Sequence, residues 1–160
     1  MPTTIADSQS ALKVLRKFRL IYGSMRQHFR RMEEASGLSG SHLWVLQEVQ
    51  RQPGIGVSAL AECLSIHQST CSQIVDKLVA TGHLRKTRSS TDQRRIGLSL
   101  GDSASALLAA VPGPVEGLLP QALMQLSPRA LDQLDRALSN VIEQLPARNE
   151  RLGKHPLADL

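Results

Sequence analysis

The chain has 160 residues, is 41% hydrophobic and 21% charged, and carries a formal net charge of +5 with a pI near 9.8. That describes one domain with a core, or one domain with an appended helical element, of ordinary soluble composition. No apolar run reaches bilayer length, two cysteines build no disulfide framework, and no apolar signal segment follows Met1, so a cytoplasmic location with no membrane partner is the expectation.

Residues 1–10 are polar and read as a flexible tail. From Ala11 to about Ala35 the apolar residues Leu15, Phe18, Tyr22, Met25, Phe29 and Met32 recur at steps of three and four, which predicts a helix. "SGLSGS" (36–41) ends it, with Ser41 as the expected cap of the next helix, "HLWVLQEVQ", itself closed by "RQPG". "IGVSALAECL" reads as an extended turn and a helix capped by Ser58. "SIHQ" is a tight turn, and "STCSQIVDKLVATG" is a helix ended by Gly82 at a C′ position.

Residues 84–88 and 95–100 read as two strands of a hairpin, with Ile96, Leu98 and Leu100 on one face anchoring it to the core. Helix resumes from Asp102 through Val111, is broken by "PGP" (112–114), and continues over Val115–Leu126. "SPRALDQLDRALSNVIEQL" (127–145) opens with Ser127 as cap and Pro128 at the first helical position. Its Leu131, Leu134, Leu138, Val141 and Leu145 form a seam suited to a partner helix. After Pro146 a loose tail (146–160) is expected.

The charge is local. Between Arg85 and Arg95 stand five basic residues (Arg85, Lys86, Arg88, Arg94, Arg95) against one acid, Asp92. None of the four aromatics (Phe18, Tyr22, Phe29, Trp44) interleaves with them, which disfavours single-strand binding by base stacking and favours duplex DNA. Two short helices with a tight turn, followed by a basic hairpin, describe a winged helix-turn-helix. In helix 68–81, Cys71, Ile74, Val75 and Leu78 form the buried face, with Leu60, Leu64 and Ile66 as partners. The other face shows Gln68, Ser69, Ser72, Gln73, Asp76 and Lys77, with Thr70 beside them. Small polar residues let a helix enter the major groove, about 12 Å wide, closely.

Gln73 is placed to read a base edge, since an amide pairs bidentately with adenine, and Ser69 and Ser72 suit phosphate oxygens. On the hairpin, Arg94 suits a narrow minor groove, with Asp92 turned back to hold its guanidinium. Lys86, Arg88 and Arg95 would serve phosphates. His67 caps the recognition helix or touches phosphate.

The segment "LAECLSIHQSTCSQIVDKLVATGHLRKTRSSTDQRRIGLSL" (60–100) resembles the MarR family of transcriptional regulators, in the helix pair, in "VDKLVATGHLRK" and in the Asp92–Arg94–Leu100 spacing of the wing. Flanking helices in matching order extend the resemblance over about 11–145. The resemblance implies a mainly α fold with a small β-hairpin wing: a winged helix-turn-helix over 41–100 and helical dimerisation arms over 11–36 and 102–145. It implies a homodimer on palindromic double-stranded DNA, usually as a repressor. Arg94 would be the minor-groove residue, Asp92 its support, residues 68–77 the recognition face, and Asp76 a structural acid paired with a wing base. The chain departs from the pattern at Ser65, where the family usually has Gly, at His67 (Ser) and at Gly101 (Thr), so that Asp102 or Ser103 takes over the capping. "PGP" interrupts what is often one long helix.

Regulators of this type sense a small ligand between dimer arm and winged helix. Tyr22, Arg26, His28, His42 and Trp44 are the candidates to hold an aromatic or phenolic effector. Cys63 and Cys71 flank His67, but a buried thiol is ordinarily inert, and the stretch supplies too few ligands for a metal. No cofactor is implied, and no phosphate loop, HExxH or GxSxG is present, so an enzyme is not expected. The other reading is a helical protein-interaction module whose winged helix is not used on DNA.

Overall fold

The computed structural model describes residues 7–88 and 95–160. The first helix, α1 (Ser8–Ser36), begins at Asp7, whose carboxylate accepts from the Ser10 N–H at 2.6 Å, and ends at Gly37 in the left-handed region (φ 73°). Only its C-terminal half buries side chains, through Met25, His28 and Met32; Leu12, Leu15, Phe18 and Tyr22 stay exposed.

The winged helix follows: α2 (Gly40–Arg51), α3 (Val57–Leu64), α4 (Gln68–Ala80), β1 (Leu84–Arg88) and β2 (Ile96–Leu100). Its core is one cluster drawn from all five elements, including Val45, Leu46, Leu60, Leu78, Leu84 and Leu98. The expected face of α4 is the observed one: Cys71, Ile74, Val75 and Leu78 are buried, against Leu60, Leu64 and Ile66. Ser65 closes α3 in the left-handed conformation (φ 53°), the backbone that a Gly adopts at lower cost.

Two caps differ from expectation. Ser39, with extended backbone, precedes α2, so Ser41 sits inside the first turn, buried, and its hydroxyl donates to Asp159 at 2.9 Å. Gly56 precedes α3, leaving Ser58 exposed at the second helical position.

The strands pair antiparallel with Leu84 opposite Leu100, Lys86 opposite Leu98 and Arg88 opposite Ile96. Leu98 is fully buried and Leu100 half-buried, but Ile96 is 51% exposed, so the hairpin is anchored by its inner half only. Gly97 has a definite reason. The turn at Gly54–Ile55 lies against β2, with Gly54 N–H donating to Leu98 C=O at 2.8 Å and Leu98 N–H donating to Ile55 C=O at 2.9 Å. A Cβ on Gly97 would stand 2.6 Å from the Gly54 carbonyl oxygen.

After the hairpin come α5 (Ala104–Ala110), α6 (Leu118–Met124) and α7 (Pro128–Glu143). The Ser103 side chain makes no capping bond, and Asp102 pairs with Arg85 instead. The Pro-Gly-Pro break is a built feature. Gly113 takes φ 75° with the His28 ring directly over it, and His28 Nε2 lies 2.9 Å from the Pro114 carbonyl oxygen. Val115 is buried against Met32 and Leu43, and Gly117 (φ 101°) lies under Phe29, so α6 starts at Leu118 rather than at Val115. In α7, Ser127 caps as expected, its hydroxyl accepting from Ala130 N–H at 3.2 Å, yet no side chain of the helix is buried. An apolar groove of about 440 Å³ runs between α1, α6 and α7, bordered by Phe18, Ile21, Leu119, Leu134, Leu138 and Val141.

The last segment is not the loose tail expected. Two short 3-10 turns, Glu150–Lys154 and Leu157–Asp159, bring the chain back against α1, α2 and the start of α4. Pro156 is buried there, and Ala158 meets Gly40 and Phe29.

Candidate nucleic-acid interface

Burial of one side of α4 turns the other outward. Gln68, Ser69, Gln73, Asp76 and Lys77 are exposed, while Thr70 and Ser72 are half-buried at the edges of the face. The wing lies beside it because Leu84, the first residue of β1, sits in the core under Leu78 and Leu98. Lys86 Nζ is 2.8 Å from Asp76 Oδ1, which ties β1 to α4 and realises the pairing of Asp76 with a wing base. Both groups are substantially exposed, so the pair contributes about 0–1 kcal/mol; its effect is positional. Arg85 is held by Asp102 at 2.5 Å. Lys77 and Arg88 have no ion partner among the described residues, and Arg95 is exposed just before β2. Asp92 and Arg94 lie outside the described residues.

His67 occupies the cap position of α4, but its ring makes no capping bond. The ring lies edge-on to His155 at 5.9 Å between centroids, and the His67 N–H donates to the Lys154 carbonyl at 3.2 Å. Sequence reasoning missed this contact. Its only local signal is Asn149, whose side chain accepts from Arg151 N–H and starts the turn.

The five effector candidates do not converge. Tyr22 borders the α1–α6–α7 groove, with the Arg26 guanidinium 5.7 Å from its ring centroid. His28 is spent on the Pro114 carbonyl. His42 Nδ1 is 2.5 Å from Ser39 Oγ, and burial pushes its pKa below the ordinary 6.5. Trp44 alone borders a separate cavity of about 170 Å³ that Phe29, Ile66, Val115, Glu116 and Pro156 also line. The two cysteines differ: Cys63 is exposed, while burial pushes the Cys71 thiol up to about 11. Among the described residues no cluster of His, Cys, Asp or Glu is placed to hold a metal ion, and no helix is long and apolar enough to cross a membrane.

Residues 36–95, from the end of α1 through the start of the returning strand, match the MarR family model. Over this segment the chain is similar to the MarR family. The MarR likeness in solved structures extends over most of the chain. One is Sco3205 of Streptomyces coelicolor, a MarR family transcriptional regulator in complex with DNA (20% identity, 92% of this chain and 94% of that one, TM-score 0.58). Another is a mutant MarR of E. coli complexed with operator DNA (17% identity, 86% and 99%, TM-score 0.54). A third is the transcriptional regulator BldR of Sulfolobus solfataricus (21% identity, 88% and 100%, TM-score 0.53). At these identities the likeness establishes the MarR fold: mainly α, with a two-stranded antiparallel wing. No curated protein matches the chain in sequence.

Proposed function

We propose that this protein is a cytoplasmic homodimeric repressor of the MarR family that binds a palindromic duplex operator. The observation that carries the reading is the polar, outward face of α4 set beside a basic hairpin, on a core that buries the other side of both. Gln73 reads a base edge, Ser69 and Ser72 approach phosphates, Gln68, Thr70 and Lys77 border the groove, and Arg88 and Arg95 serve the flanking backbone. Arg94, supported by Asp92, enters the minor groove. The dimer is supported by α7, which has no buried side chain, and by the exposed apolar half of α1 facing the same groove. Two copies would place their recognition helices on half-sites about one helical turn apart.

Selection of bound sites from random duplex DNA tests this. A palindrome is the expected product. Gln73→Ala should relax specificity at one position at a cost of about 1–3 kcal/mol, and Arg94→Ala should weaken binding without altering the fold. No bound fragment at low salt would instead favour the interaction-module reading. A small aromatic effector would enter the cavity beside Trp44, and a thermal-shift panel of phenols and aromatic carboxylates tests that proposal.

A further inference from the structure

The C-terminal turn at Glu150–Lys154 is basic and is fastened beside the start of the recognition helix. Four contacts fix it: His67 N–H to the Lys154 carbonyl at 3.2 Å, the edge-on His67–His155 pair, buried Pro156, and Ser41 Oγ to Asp159 at 2.9 Å. His155 Nδ1 lies 3.1 Å from the Arg151 carbonyl oxygen, closing the turn on itself. Glu150, the nearest acid along the chain, is held by Arg148 at 3.0 Å, and Asp159 is engaged by Ser41. Arg151 and Lys154 are exposed and have no ion partner among the described residues. Two cations are thus held by backbone contacts rather than by acids, next to the end of α4 that carries Gln68 and Ser69.

A helix lying in a groove about 12 Å wide has its ends beside the sugar-phosphate walls. A cation on a flexible stem at that end meets a phosphate, not a base. We propose that Arg151 and Lys154 form a second phosphate-binding element, separate from the wing, that grips the DNA backbone flanking the N-terminus of α4. The assignment rests on the DNA-binding reading above, and adds a contact which neither helix-turn-helix nor wing supplies.

The test is fluorescence anisotropy of the full chain on a labelled random-sequence duplex, over a series of salt concentrations. Each phosphate contact adds about 0.9 to the slope of log K against log salt, which is roughly eightfold in affinity at about 0.1 M. Arg151→Gln and Lys154→Gln should each lower the slope and affinity by about that amount, and the double variant by about twice the slope. Lys13→Gln with Arg129→Gln, on α1 and α7, removes the same charge elsewhere and should leave the slope near that of the parent. Both residues of the turn are exposed, so the variants should melt with the parent. A double variant with unchanged slope overturns the proposal while leaving the DNA reading intact. Equal loss in the Lys13/Arg129 control reduces it to a net-charge effect and overturns it too. A parent chain that ignores duplex at every salt overturns both.

Discussion

Replacing Gly97 by Ala adds one methyl group, and the structure says where it goes. The new Cβ would lie 2.6 Å from the Gly54 carbonyl oxygen and 2.9 Å from Gly54 Cα. These are backbone atoms, so no side chain can swing away. Relief requires β2 and the Gly54 turn to part by several tenths of an ångström, which strains the two hydrogen bonds between them, Gly54 N–H to Leu98 C=O and Leu98 N–H to Ile55 C=O. Each is worth about 0.5–1.5 kcal/mol net. Against this stands a gain of roughly 0.5–1 kcal/mol from the lower chain entropy of Ala in the unfolded state. The balance is a loss of about 1–2 kcal/mol, or a Tm lower by roughly 2–8 °C for a chain of this size. Gly23→Ala is the matched control. Gly23 lies in the middle of α1 with nothing within 4 Å of its Cβ position, so the same methyl should stabilise by about 1 kcal/mol. Urea and thermal unfolding at one fixed protein concentration would read both. If Gly97→Ala is as stable as the parent, the close approach of the two backbones is refuted.

Cys63 should react with a thiol reagent in the native state, and Cys71 only as the protein unfolds, because burial holds its thiol at about 11; two fast equivalents would contradict the packing of α4. His42 is held below its ordinary pKa chiefly by burial, so below about pH 6.5 the unfolded chain binds the extra proton and the folded chain resists it. Stability should therefore fall as pH drops below about 7.5, and His42→Gln should lessen the fall; an identical pH profile in the variant removes His42 as its source. Leu138→Glu places a charge in the α1–α6–α7 groove and should convert the proposed dimer to monomer in sedimentation velocity, with unchanged helicity; a dimer that persists would locate the interface elsewhere.

The winged helix was legible because its signals are local. The spacing of Cys71, Ile74, Val75 and Leu78 specifies the buried side of α4, hence which residues face outward. Gly37, Gly82 and the Ser127–Pro128 pair mark ends of helices through the backbone conformations they adopt or favour. The dense positive charge of the hairpin needs no coordinates to be seen. The caps at Ser39 and Gly56 were missed because a run such as "SGLSGS" offers several serines, and only the path of the chain chooses among them.

The order of the helices, the inward face of α4 and the hairpin were readable without coordinates, because they rest on periodicity and turn chemistry within a dozen residues or so. The family likeness was readable too, from the motif pattern over residues 60–100. Tertiary structure alone decided the contacts between residues far apart. Gly54 against Gly97 and His28 against Pro114 exist because separate elements pack together. It also separated the five effector candidates and seated Lys154 at the start of α4. No local pattern encodes such a meeting, since its geometry depends on how every intervening element packs.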